Sequence, residues 1–504
     1  MPDTAFIQPG VRYKPPLPAV GLVLAVSLFA LFFGLMSAIL PAWFVASVLI
    51  FPVLLTLLVV RPEYALLACV ALVCGLVHPS LVSRIPVLGG SLTVADVTLA
   101  MLTVYASVML AMHAGKGKFP PVAGARWLAF AFGLFGVCLV IASTMSLTFW
   151  GLNPAWVLGE TRRLLYLILL PIAIIILRQP RRQERFVIGL IALGCLFSVG
   201  QVLQGVFGLP VFGSAGISAL ETLGYFEHST IRSNTFGLSV IIFALLLVTG
   251  AYVLDLVGRP LFLALAGLLA FGIFLTFGRT TFAVVAACIV LVVWWLDMKK
   301  LPQLILVSVV AMAIAAYAGS IFKPEALAAV YFRMTTISSE LEYGYSAGWR
   351  YREFEEMLPH ILQYPLTGIG LGADYKGLGV SSRNPDLNRY VHNAYLYMAG
   401  KMGVPALLLF LLAMATIFYI GRREAKSDAS PWVRVVGAAS AAMMIRFVFA
   451  SMTEPHLMSD HGIVNIAIAG ALVILAGQRM GATASAAGGA DIVPPGADRS
   501  HLPG

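Results

Sequence analysis

Arg350 lies in a segment, 349–364, whose apolar residues Phe354, Met357, Leu358, Ile361 and Leu362 recur at helical spacing. It falls on that apolar face, while Arg352, Glu353 and Glu356 point elsewhere. A guanidinium aimed at protein rather than water is costly unless it meets an anion, and its planar fork suits phosphate oxygens two at a time. A salt bridge to Glu353 or a solvated face is the alternative. His392 stands with Asn393 at the mouth of a later apolar run. An imidazole there takes up or gives a proton, or donates to a bound anion; an ordinary interfacial histidine is the competing account. Arg279, in LTFGRTTFAVV, and Arg232, in HSTIRSNTFG, both sit at the edge of apolar runs, where an arginine holds an anion or snorkels to headgroups. Glu160, Arg162 and Arg163 open another run; mutual pairing is their simplest role, with substrate contact through Arg162 as the other. Glu454, His456, Asp460 and His461 are metal-capable types, yet their spacing fits no metal motif. Tyr343, Tyr345, Trp349 and Tyr390 are of the type that stacks on sugars or forms an interfacial aromatic belt.

The elements that position these residues are set by composition. The 504 residues are 60% hydrophobic and 11% charged, with a mean hydropathy of +0.92, whereas a soluble domain carries about 25% charged residues. Apolar stretches recur, and a hydrocarbon core about 30 Å thick takes about 20 helical residues to cross. The expected fold is therefore all-α and polytopic, with about 14 transmembrane helices. Their approximate positions are 18–37, 40–60, 64–78, 93–112, 127–147, 162–177, 186–205, 234–254, 260–277, 281–297, 302–319, 394–420, 433–450 and 462–478. The net charge of +10 belongs to short loops between runs, so it reads as topology rather than nucleic-acid binding. Arg61, Lys116, Lys118, Arg178, Arg181, Arg182, Arg185, Lys299, Lys300, Arg422, Arg423 and Lys426 all fall on the side of the N-terminus, which makes that side cytoplasmic.

On this reading residues 1–17 are a cytoplasmic N-terminus, followed by a retained first helix with no cleavage site. Helices 1–11 occupy 18–319, a long structured periplasmic loop with an amphipathic helix occupies 320–393, and helices 12–14 occupy 394–478. Residues 479–504 form a disordered cytoplasmic tail. Pro359 should kink the amphipathic helix and Pro365 end it, before Gly368, Gly370 and Gly372 make an irregular turn. The cysteines Cys69, Cys74, Cys138, Cys195 and Cys288 all fall inside spans, which argues against a disulfide framework or a thiolate metal site.

The segments GWRYREFEEMLPHILQYPLTGIGLG and VHNAYLYMAGKMGVPALLLF resemble the O-antigen ligase and polymerase superfamily. The matching pattern is Arg350, an aromatic at Phe354, Pro365, the turn Gly368, Gly370 and Gly372, then His392 and Asn393 entering a helix that contains Gly403. Gly278 and Arg279 match the family's upstream Gly-Arg position. The likeness is good over roughly 260–420. It implies a GT-C-like, metal-independent, inverting glycosyltransferase of the bacterial inner membrane that takes a glycan from undecaprenyl diphosphate at the periplasmic face. On that resemblance Arg279, Arg350 and His392 are catalytic, and Arg232, Asn393, Arg162 and Gly370 bind substrate. No cofactor or metal is implied; the partners are the lipid-linked donor, a glycan or lipid A-core acceptor, and membrane lipid, with no nucleic acid.

A ligase, a polymerase and a protein glycosylase share donor chemistry and differ in acceptor. The span count leans toward polymerase or exopolysaccharide assembly. A transporter or flippase is the alternative class, but such proteins show internal repeats and charges deep within their spans. This chain shows no repeat, and its charges cluster at span ends and in one outer loop.

Overall fold

The computed structural model describes residues 52–77, 85–87, 90–113, 125–209, 211, 214–219, 231–276, 278–306, 317, 346–375, 389, 391–453 and 456–490. Among these residues the architecture is helical. The helices are α1 (Pro62–Val73), α2 (Val94–His113), α3 (Ala125–Thr148), α4 (Pro154–Leu165), α5 (Leu169–Ile176), α6 (Pro180–Phe207), α7 (Leu238–Val253), α8 (Arg259–Phe274), α9 (Arg279–Leu296), α10 (Ser346–Gln363), α11 (Ala394–Met402), α12 (Val404–Ala425), α13 (Pro431–Ala450) and α14 (Asp460–Ala490). Two antiparallel pairs interrupt the all-α expectation: β1 (Ile85–Val87) with β2 (Gly90–Leu92), and β3 (Ser214–Ala219) with β4 (Ile231–Thr235).

Six of the described helices are long and apolar enough to cross a membrane, at 94–112, 125–148, 180–207, 404–425, 431–450 and 460–479. Four shorter apolar helices accompany them, at 62–73, 238–253, 259–274 and 280–296. The expected span 18–37, and most of 40–60 and 302–319, lie outside the described residues. One expected span is corrected. The run 162–177 stays right-handed helical through a 3-10 turn at Tyr166–Ile168 between α4 and α5, whereas the run 394–420 is broken at Gly403, whose φ of 87° no α-helix can contain. The expected tail is also helical in its first part, since α14 continues to Ala490.

Local sequence explains the ends. Pro180 starts α6 at a position where its missing N–H is no loss, and Gly208 closes it in the left-handed conformation at φ 68°. Asn153 caps α4 by accepting from Ala155 N, and Asn393 caps α11 by accepting from Tyr395 N and Leu396 N. Helices α12 and α13 cross closely where Gly421 meets Gly437: a Cβ on Gly421 would come within 2.6 Å of the Gly437 carbonyl oxygen.

Hydrogen bonds along the bundle show which helix ends lie together. At one end, Arg434 near the start of α13 donates to Leu296 O at the end of α9 and to Ala425 O at the end of α12. Arg479 reaches Pro180 O at the start of α6 and lies over the Trp432 ring, and Glu63 of α1 pairs with Arg185 at 3.1 Å. Lys299, Lys300, Arg422, Arg423 and Lys426 belong to these same helix ends. This is the basic end of the molecule.

The opposite end holds the start of α9, because α9 runs antiparallel to α13, with Cys288 donating to Ala442 O midway. It also holds the start of α7, since Arg446, buried near the end of α13, donates to Ser239 Oγ at 2.8 Å. A guanidinium inside an apolar bundle is tolerated when it finds such an acceptor. Arg279, which opens α9, and Arg232, on β4 just before α7, therefore have their backbones at the end away from the basic cluster. Their side chains lie outside the described residues.

Candidate active site

Helix α10 turns one face to the bundle: Arg350, His360, Ile361 and Tyr364 are part-buried, and Glu353 and Met357 are fully buried. This corrects the expected face by about one residue. Phe354 and Leu362 are 43% and 71% exposed, while Glu353, expected to point away, is 1% exposed. Pro359 lies inside the helix on its exposed side, where the N–H it lacks interrupts one helical bond.

Both oxygens of the buried Glu353 carboxylate meet His392. Its Oε1 lies 2.6 Å from His392 Nδ1 and its Oε2 accepts the His392 backbone N–H at 2.9 Å. Tyr375 supplies a third donor. Burial, with the nearby Glu353 and Glu356 carboxylates, pushes the Tyr375 hydroxyl's pKa up, so it stays protonated and able to donate. The His392 side chain itself is 43% exposed. One helical turn before Glu353, Arg350 donates through Nη2 to Thr453 O at 3.3 Å, in the loop that ends α13. Ala394 N, beside His392, donates to Ser451 O in the same loop. Arg350 and the His392–Ala394 segment thus meet at one loop, 451–453, with Glu353 holding His392.

The glycine turn that follows α10 is fixed by backbone contacts. Gly368, Gly370 and Gly372 have φ values of 67°, 95° and 79°. Ile369 N and Gly370 N donate to Gly400 O and Lys401 O, and Val404 N donates to Pro365 O. Gly372 N donates to Glu160 Oε2 at 2.8 Å. Lys401, fully buried, donates to Ala373 O and lies 3.6 Å from Glu160 Oε1. Arg389 stacks over Trp156 at 3.9 Å and pairs with Asp374 at 3.5 Å. Gly370 packs on Ser146 and Trp150, and its Cβ would meet Ser146 Oγ at 2.6 Å.

At Gly403 a Cβ would meet Leu366 O at 2.3 Å, on top of the left-handed φ. Gly403→Ala is therefore expected to destabilise the protein by about 3 kcal/mol. Its melting temperature in detergent checks this, and an unchanged value would contradict the packing described.

Arg162, Arg163 and Glu160 do not pair among themselves as expected. Arg162 pairs with Asp96 at 2.8 Å and Asp460 at 3.3 Å, and Arg163 approaches Asp460 at 3.6 Å. Tyr166 also donates to Asp96. This network ties the starts of α2 and α14 to α4, on the same end as Arg350. His461 lies 3.1 Å from Ser459 Oγ and packs on Phe236. No group of three metal-capable side chains is found among the described residues. The segments with Tyr343, Tyr345, Glu454 and Tyr390 lie outside the described residues, as do the side chains of Trp349 and His456.

Sequence reasoning placed Arg350 and His392 but missed Glu353 and Lys401. Glu353 carried a usable signal, since it stands three residues from Arg350 and so shares its helical face. Lys401 carried none, lying in an apolar run. Asn393 was singled out for substrate contact, and the structure places its side chain on the first turn of α11 as the cap.

Fold and site together define a multi-pass helical membrane protein with its polar cluster at one end of the bundle. Residues 264–411 match the family described as O-antigen ligase, and the chain carries a domain of that superfamily over this segment. The segment runs from α8 into α12 and includes Arg279, Arg350, Glu353, the glycine turn and His392. At the level of the family, that likeness supports a membrane glycan ligase or polymerase. No curated protein matches the chain.

Proposed function

We propose that the protein is an inverting glycosyltransferase that moves or polymerises a glycan carried on undecaprenyl diphosphate, at the periplasmic face of the bacterial inner membrane. The observation that carries this reading is that Arg350, bound to Thr453 O, and His392, held by Glu353, lie together against the loop after α13, at the end of the bundle away from the basic cluster. Basic residues mark the cytoplasmic side, so the opposite end faces the periplasm.

Arg350, with Arg279 from the start of α9, meets the charge of the donor diphosphate. The acceptor hydroxyl gives its proton to His392, and its oxygen bonds the anomeric carbon. The bond from that carbon to the diphosphate oxygen breaks, and the electron pair leaves with the lipid diphosphate. Two guanidiniums then stabilise the departing charge, the task a metal ion performs in other transferases. Arg232 and Arg162 are assigned to donor or acceptor contact, and activity is expected to persist in excess chelator.

The test is purified protein with an undecaprenyl-diphosphate glycan and two acceptors, lipid A core and a second carrier-linked repeat. A glycan joined to either acceptor supports the reading and names the enzyme as ligase or polymerase. The competing class is a lipid-linked glycan transporter. Movement of lipid-linked glycan across the bilayer with neither acceptor extended would favour it.

A further inference from the structure

We propose that Glu353 is a positioning residue for His392: its carboxylate holds the Nδ1 edge of the ring, so that Nε2 is the atom that receives the acceptor's proton. This rests on the transferase reading above and deepens it.

The argument begins with the geometry of the grip. The two carboxylate oxygens of Glu353 contact the same residue, one at the ring and one at the backbone N–H, at 2.6 Å and 2.9 Å. Holding both the backbone and the ring leaves the imidazole little freedom to rotate. The contrast in exposure points the same way, with the Glu353 side chain 2% exposed and the His392 side chain 43%. The carboxylate is sealed behind the ring, and the ring faces outward. Tyr375, itself 3% exposed, holds the carboxylate from behind.

A carboxylate accepts, so Nδ1 is the nitrogen that donates to it. The neutral ring then has its lone pair on Nε2. A lone pair opposite a phosphate oxygen is repulsive, whereas opposite a hydroxyl proton it is a base. Once Nε2 takes that proton, the positive ring lies 2.6 Å from the Glu353 carboxylate, a charge-assisted hydrogen bond. The geometry therefore favours proton uptake by His392 over a phosphate-binding role.

Two measurements test this. The first needs no activity: ¹⁵N spectra of histidine-labelled protein, with His392 assigned by loss of its signals in His392→Gln. The proton is expected on Nδ1 in the wild type, with a measurable shift toward Nε2 in Glu353→Gln, which keeps the side chain's shape. The second is kinetic: Glu353→Gln is expected to lower kcat about 10²-fold or more with donor KM within about twofold, and Glu353→Asp to recover part of the loss. A wild-type proton on Nε2, or a Glu353→Gln enzyme with undiminished kcat, overturns the positioning role. A variant that only melts earlier and binds donor less well, with kcat kept, makes Glu353 structural and overturns it too. Glycan transfer absent from the wild type itself overturns the functional reading and the base role with it, whereas an active wild type with an indifferent Glu353→Gln overturns this inference alone.

Discussion

Arg350→Ala is expected to abolish glycan transfer in a correctly inserted protein, with a fall of about 10²- to 10³-fold or more. The size follows from where the residue sits. Arg350 is part-buried on the inner face of α10 and is held by Thr453 O, so it is preorganised rather than floating in solvent. Preorganised charge acts on a transition state without the cost of reorienting water. In the reaction proposed, charge builds on the diphosphate as the glycosidic bond breaks, and the loss falls on kcat rather than on binding alone. Arg350→Lys should remain strongly impaired, because an ammonium lacks the planar fork and the reach to keep both the Thr453 carbonyl and a phosphate oxygen. Radiolabelled product formation in proteoliposomes checks both variants. Wild-type-like transfer by Arg350→Ala would remove the residue from the mechanism.

His392→Ala is expected to cost about 10²- to 10⁴-fold, the range for loss of a general base. Here the substitution series carries more than the single change. Glutamine keeps a hydrogen-bond donor at about the same reach but cannot take up a proton, so His392→Gln should be as inactive as His392→Ala. A histidine that served only as a donor to phosphate would be partly replaced by glutamine. Substantial activity in His392→Gln, measured as initial rates at saturating donor, would move His392 from base to ligand.

Much of the helical architecture was legible in the sequence, because hydropathy over a window of about 20 residues reports lipid burial directly. It failed where one residue's backbone decides. Gly403 adopts a φ that ends α11, and a window average dilutes that single position; the Gly403-Val404-Pro405 order did carry the signal, with Pro405 in the first turn of α12. The 3-10 turn before α5 carried a signal too, since Pro171 lacks the N–H that would bond Leu167 O.

The site divides in the same way. Arg350, His392 and the glycine turn were visible through residue type and spacing. The roles of the glycines are packing roles that a sequence cannot display, since Gly368, Gly372 and Gly403 are pressed against the backbone of Lys401, Val157 and Leu366. Glu353 was read as solvent-facing because glutamate on an amphipathic helix usually is. Its partner, His392, is distant in sequence and reaches it only in the folded chain. Lys401 and Glu160 form a buried pair that holds the turn, and nothing local in either segment pairs them.

The most direct measurement is the stoichiometry of the leaving group: free undecaprenyl diphosphate counted against glycan joined to acceptor, with wild-type protein in nanodiscs. One carrier diphosphate released for each glycan joined, with both quantities lost together in Arg350→Ala, is the predicted result. Glycan displaced with its carrier still attached, or carrier released without any glycan joined, would contradict the account.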